Sequence, residues 1–169
     1  PLGLVLNFEG EVASRPYINM TLKLMERFGL SGTWHENSIS VSPQKYSAIT
    51  EESTDGKYDI EADWSAASYW YAIVGFSDEA DITLLGLKAD SLQGDSILPH
   101  LFQFFGVHTE FLEGGGIRLK KIPVNADRFG FDFIECPDIA QTFAVVASAL
   151  GVPTYCRGLR TLKIKETDR

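Results

Sequence analysis

Three stretches of this 169-residue sequence put polar and charged residues where a strand turns toward a helix: "ASRPY" (13–17), "SLQGD" (91–95) and "IKETDR" (164–169). The first turn of a helix has N–H groups without intrahelical partners and carries the positive end of the helix dipole. Such corners therefore suit anionic ligands. Ser and Asp are also ordinary N-cap residues, so capping is the competing explanation. The third corner is less ordinary. Lys165, Glu166 and Arg169 are spaced i, i+1, i+4. In a helix Lys165 and Arg169 would share one face, an unfavourable like-charge pair unless an anion lies between them. The alternative is a solvated charged face. A fourth stretch, "ECPDIAQTFAVVASAL" (135–150), places Pro137 at a first helical position and Asp138 in the first turn, where negative charge is favoured. Asp138 either complements the dipole or is a carboxylate at the mouth of a site, available as acid or base.

Other chemistries are not supported. His35, His100 and His108 have no metal-ligand spacing, and no phosphate-loop, dinucleotide or zinc motif is present. The two cysteines, Cys136 and Cys156, fit buried thiols in a reduced, cytoplasmic protein better than a disulfide. The net charge of −8 argues against a nucleic-acid or anionic-membrane surface. A local anion site remains open, because Arg157, Arg160, Lys163, Lys165 and Arg169 crowd the end of the chain. No signal peptide is visible in this sequence, and it has no run of about 20 apolar residues. The chain starts on Pro1 without a Met, which points to a processed or excised chain. With 44% hydrophobic and 12% aromatic residues, it has the material for a sizeable core.

The elements that must position these corners come from a repeat. "LMERFGL" (24–30) matches "LFQFFGV" (101–107), each the end of an amphipathic helix, then Phe-Gly, then a strand start. "LNFEGEVASRPY" (6–17) lies against "TLLGLKADSLQGD" (83–95). "DWSAASYWYAIVGF" (63–76) followed by "DITLLGL" (81–87) lies against "PDIAQTFAVVASALGVPTYCRGL" (137–159). The unit is strand–helix–strand–helix–strand–strand, βαβαββ. One whole copy is expected from about Tyr58 to about Lys121, after the end of one copy and before the start of another. A helix is predicted at about 15–28, with Ile18, Leu22, Met25 and Phe28 as its apolar stripe. A second, at about 64–76, is apolar on most sides, and "EGGGI" (113–117) reads as a hairpin turn. The polar "ITEESTDGK" (49–57) is the expected boundary. Units that cannot close a core alone imply several packed copies.

Five strings in order, "SRPYINMTLKLMERFG", "EADWSAASYWYA", "SLQGD", "PDIAQTFAVVA" and "IKETDR", resemble the middle of the 5-enolpyruvylshikimate-3-phosphate synthases. The resemblance runs from about Val5 to Arg169. It implies an α/β (α+β) fold, an inside-out α/β barrel of two lobes, each of three βαβαββ units, with the substrates between the lobes. Residues 1–56 would end one lobe and 57–169 would begin the other, so the sequence is expected to be part of a longer chain. The implied reaction transfers the enolpyruvyl group of phosphoenolpyruvate to the 5-hydroxyl of shikimate 3-phosphate, with no metal or organic cofactor. It also implies a cytoplasmic, monomeric complete enzyme with no nucleic-acid or membrane partner. The sister family acting on UDP-N-acetylglucosamine shares the fold but is not expected to carry this set of strings. A non-catalytic βαβαββ module for binding or assembly is the reading from a different class.

Residue by residue, Ser14 resembles the serine that binds the phosphate of shikimate 3-phosphate, and Tyr17 the nearby tyrosine. Asp138 resembles the carboxylate that contacts the shikimate hydroxyls and accepts a proton. Lys165 resembles the lysine bound to shikimate 3-phosphate, Glu166 the proton donor, and Arg169 an arginine that binds phosphoenolpyruvate. Thr161 stands where the family commonly has Asn, and its hydroxyl could still make that hydrogen bond. Trp64 stands where small residues are common and reads as packing. On this resemblance the isolated chain is expected to be inactive and prone to self-association.

Overall fold

A computed structural model describes residues 2–12, 14–47 and 57–164. The chain divides into two units, Pro1–Ile60 and Glu61–Arg169.

In the first unit β1 (Leu4–Asn7), β2 (Gly32–His35) and β3 (Ser38–Val41) form an antiparallel sheet in the order β1-β3-β2. Helix α1 (Arg15–Arg27) connects β1 to β2. Pro16 sits in its first turn, where a missing N–H costs nothing. Leu22 on its apolar stripe is buried, as are Leu30 and Ile39.

The second unit opens with α2 (Trp64–Phe76), followed by β4 (Asp81–Leu84). A 3-10 turn at Gly94–Ile97 leads into α3 (Leu98–Gln103). Strands β5 (Val107–Phe111) and β6 (Ile117–Lys121) complete an antiparallel sheet in the order β4-β6-β5. Strand β7 (Phe129–Asp132), a 3-10 turn at Pro137–Ile139, α4 (Ala140–Ala149) and β8 (Thr154–Arg157) follow, with β7 and β8 parallel. A last 3-10 turn spans Arg160–Ile164.

The core of this unit is aromatic. Trp64, Tyr71, Phe102, Phe105, Phe133 and Phe143 are all fully buried. Phe143 of α4 meets Phe105 edge-on at 4.7 Å between centroids and lies 5.4 Å from Phe129 of β7. Tilted and edge-on pairs suit the ring quadrupoles, each contributing about 1 kcal/mol beyond area burial. Helices α2 and α4 pack against each other. The predicted second helix, 64–76, is where α2 lies, and its N-cap Asp63 accepts the Ser65 N–H at 2.8 Å.

One expected strand does not form. Residues 57–63 carry no strand, although the repeat puts one near Tyr58. A single rung remains, from Ala62 N–H to Gly86 O at 2.9 Å. Its counterpart is Phe133 N–H to Arg157 O, also 2.9 Å, which directly follows the full β7–β8 ladder. Phe133 follows Ala62 by 71 residues (133 − 62), and Arg157 follows Gly86 by the same 71 (157 − 86). The difference between the copies lies in the side chains. Phe129 and Phe131 pack on the core and pin β7 there. Tyr58 instead meets Phe28 and Arg27, and Ile60 is 87% exposed.

Candidate functional site

The first corner is built at the start of α1. Ser14, the N-cap, has φ 55° and ψ 38°, a left-handed conformation that few non-glycine residues adopt. Its hydroxyl makes no capping hydrogen bond, so capping does not account for this serine. Tyr17 N–H donates to Ser14 O at 3.1 Å, closing the turn, and the Tyr17 hydroxyl is buried. Beside them the Arg15 guanidinium lies 4.8 Å from the centroid of the Trp34 ring. Trp34 in turn stacks on Phe8 at 5.5 Å and donates Nε1–H to Asn19 Oδ1 at 2.8 Å. Ser14 and Tyr17 thus share a corner backed by a fixed aromatic floor.

In the second unit Asp138 is the middle residue of the 3-10 turn ahead of α4. Pro137 and Ile139 on either side are buried, which turns Asp138 away from the core and leaves it half-buried. Thr161 lies on the last 3-10 turn, which rests against the turn of Asp138. Its Oγ1 is buried and has no hydrogen-bond partner among the described residues. A buried hydroxyl without a partner carries a desolvation cost of about 1–3 kcal/mol. Asp138 and Thr161 are therefore brought onto adjoining turns. Lys165, Glu166 and Arg169 lie outside the described residues.

The middle corner, "SLQGD", is filled from within. Ser91 Oγ donates to Glu61 Oε2 at 2.9 Å. The other Glu61 oxygen accepts Trp64 Nε1–H at 2.9 Å and Lys88 N–H at 3.0 Å. Gln93 Oε1 accepts Trp64 N–H at 2.9 Å, while Gln93 Nε2 donates to Ala62 O at 2.8 Å. Its polar groups clamp the start of α2 to the loop after β4. Trp64 does pack, as expected, and its ring N–H is also part of this clamp.

Residues 3–169 match the family model described as EPSP synthase (3-phosphoshikimate 1-carboxyvinyltransferase). The chain belongs to this family. A 3-phosphoshikimate 1-carboxyvinyltransferase of Bacteroides fragilis is 49% identical over 168 residues, which are 99% of this chain and 39% of that protein. One of Methanosphaera stadtmanae is 31% identical over 98% of this chain and 38% of its own length. The chloroplastic one of Petunia hybrida is 33% identical over 94% of this chain and 31% of its own. The chain thus spans well under half the length of these relatives.

Within this EPSP synthase family member, a buried thiol stands two residues ahead of Asp138. The buried Cys136 thiol is pushed up to about 12, first by burial and then by Asp95, Glu135 and Asp132. Cys156 is raised by burial alone, and both thiols are free. A thiol held protonated this firmly is packing material and not a nucleophile. Among the described residues, one concavity of about 290 Å³ lies beside Asp63, Trp70 and Leu85, and another of about 200 Å³ beside His100, Gln103 and His108.

Two features escaped the sequence reading. The Glu61–Gln93 clamp joins residues about 30 apart, and nothing in the local pattern marks those partners. Asp95 was read only as a cap candidate, yet it is fully buried. Its sole sequence signal was its place in the repeated corner.

Proposed function

We propose that the complete protein containing this chain transfers the enolpyruvyl group of phosphoenolpyruvate to the 5-hydroxyl of shikimate 3-phosphate and releases phosphate. The observation that carries this reading is the family match over residues 3–169, which takes in every candidate residue from Ser14 to Arg169. In this reading Ser14 receives the phosphate of shikimate 3-phosphate with its uncommitted hydroxyl, and Tyr17 lines the same pocket. Asp138 contacts the shikimate hydroxyls and takes the proton from the attacking 5-hydroxyl. Thr161 supplies a hydroxyl beside it. Glu166 delivers a proton to the methylene carbon of phosphoenolpyruvate, and phosphate then leaves the tetrahedral intermediate. Two carboxyl groups in different surroundings can divide the acid and base work. Lys165 and Arg169 offset the charge of two polyanionic substrates and orient them.

The same reading assigns residues 1–56 to the end of one lobe and 57–169 to the start of the second. The division of the chain at Ile60 and Glu61 supports it. Free thiols at Cys136 and Cys156 support a reducing, cytoplasmic setting.

The test is phosphate release by the complete protein supplied with both substrates. Turnover with shikimate 3-phosphate is expected, and its absence with pure, folded protein refutes the reading. Asp138→Asn in that protein is expected to lower kcat by about 100-fold or more, as loss of a general base does.

A further inference from the structure

Asp95 is the one charged side chain that is fully buried among the described residues. An ionised carboxylate taken out of water needs hydrogen bonds or opposite charge to offset its lost hydration. Part of that offset is in view: Ser65 Oγ, in the first turn of α2, donates to Asp95 Oδ2. The polar contacts continue from there. Ser68 Oγ donates to Ser65 O at 2.7 Å and shares a hydrogen bond with Thr142 Oγ1 at 3.1 Å. Ser68 is itself only 2% exposed. Thr142 stands on α4, four residues beyond Asp138. A polar thread therefore runs from Asp95, along one turn of α2, to the first part of the helix that Asp138 introduces.

The thread ends on α4 at Thr142, about one helical turn past Asp138, and the Asp138 turn itself rests against α2. That turn begins just after Cys136, buried within the field of Asp95. Apolar side chains of the same size would pack between α2 and α4 at no cost in desolvation, and buried polar groups are often less stabilising than such replacements. What directional hydrogen bonds add is a single relative position of the two helices. That position sets where the Asp138 carboxylate projects.

We propose that Asp95 is a positioning residue for the Asp138 carboxylate, acting through Ser65, Ser68 and Thr142. The inference rests on the proposed role of Asp138 as proton acceptor. Asp95 touches no substrate in this scheme. It holds α2 against the turn and α4, so that Asp138 meets the attacking hydroxyl in line. General-base catalysis depends on that reach, and a displacement near 1 Å costs about 100-fold in rate.

The experiment is steady-state kinetics of the complete protein with both substrates, comparing wild type with Asp95→Asn, Thr142→Val and Thr142→Ser. Asp95→Asn and Thr142→Val are expected to lower kcat by about 100-fold with KM for both substrates little changed. Thr142→Ser, which keeps the hydroxyl, is expected to retain most of the wild-type rate. Circular dichroism and urea midpoints check that each variant is folded. Wild-type kcat in folded Asp95→Asn or in Thr142→Val overturns the inference. So does a loss confined to KM, or Thr142→Ser no better than Thr142→Val. If Asp95→Asn does not fold, the two Thr142 variants decide alone. Wild-type protein that releases no phosphate refutes the proposed reaction instead, a separate outcome.

Discussion

Gln93 holds the first residue of α2: its Oε1 accepts Trp64 N–H at 2.9 Å, and its Nε2 turns back to Ala62 O at 2.8 Å. The first N–H groups of a helix have no intrahelical acceptor. Here one of them is met by a side chain 29 residues ahead. The same corner that the sequence offered as an anion site serves as a helix clamp.

Gln93→Ala removes both bonds and leaves a partly buried N–H and C=O unmatched. The loss expected in urea denaturation is about 2 kcal/mol. Glu61→Ala, which strands Trp64 Nε1, Ser91 Oγ and Lys88 N–H, is expected to cost at least as much. A change of a few tenths of a kcal/mol in either variant would show that the clamp is incidental.

Alkaline pH should weaken the second unit in a defined direction. Burial raises the Cys136 thiol from 9.0 to about 12 in the folded state. Below the unfolded value both states bind the proton and the full contribution is present. As pH rises from about 9 toward about 12, the unfolded chain releases the proton first and stability falls. Tyr71, also raised by burial, acts in the same direction above 10.0. Urea midpoints measured against pH should therefore decline over this window, less steeply in Cys136→Ala. Asp95→Asn should lower the Cys136 thiol, read by its rate of alkylation.

The hairpin between β5 and β6 distinguishes its glycines. Gly116 has φ 116°, and a Cβ there would meet Leu84 O at 2.7 Å. Gly114 has φ 85° and open space around it. Gly114→Ala is expected to cost about 1 kcal/mol for the left-handed backbone alone. Gly116→Ala adds a backbone clash and should cost clearly more in thermal unfolding. Equal losses would contradict the packing described.

Helix α2 is apolar on most sides, yet Tyr69, Trp70, Ile73 and Phe76 along it are exposed. A helix apolar all round belongs in a core. The 169-residue chain is therefore expected to self-associate, with a light-scattering mass above 18.7 kDa that grows with concentration. Ile73→Lys should restore the monomer. A mass of one chain at every concentration would refute this.

The 169-residue chain is also expected to show no phosphate release by itself, since it spans only 39% of the length of the Bacteroides fragilis relative. Turnover by the pure chain would contradict that expectation.

Much of the fold was legible wherever a local signal matched the final environment. The 64–76 helix showed in its apolar density and its Asp63 cap, and the 113–117 turn in its three glycines. The strand expected near Tyr58 was not found, because a parallel strand depends on a remote partner and on side chains such as Phe129 and Phe131 to press it down. Ser14, Tyr17, Asp138 and Thr161, whose roles are proposals, could be named as candidates from their strings. The adjacency of the Asp138 and Thr161 turns could not, since it arises from packing between residues more than twenty positions apart. Nor could the burial of Asp95, because nothing local distinguishes a capping Asp from one enclosed by Ser65 and the core.

The rungs Ala62–Gly86 and Phe133–Arg157 share one offset in two copies that otherwise differ in side chains. From rung donor to rung acceptor the chain runs 24 residues in both copies (86 − 62 and 157 − 133). A chimera that exchanges these two segments would be joined at equivalent backbone positions on both sides, which makes the rung a natural splice point for recombining the repeats.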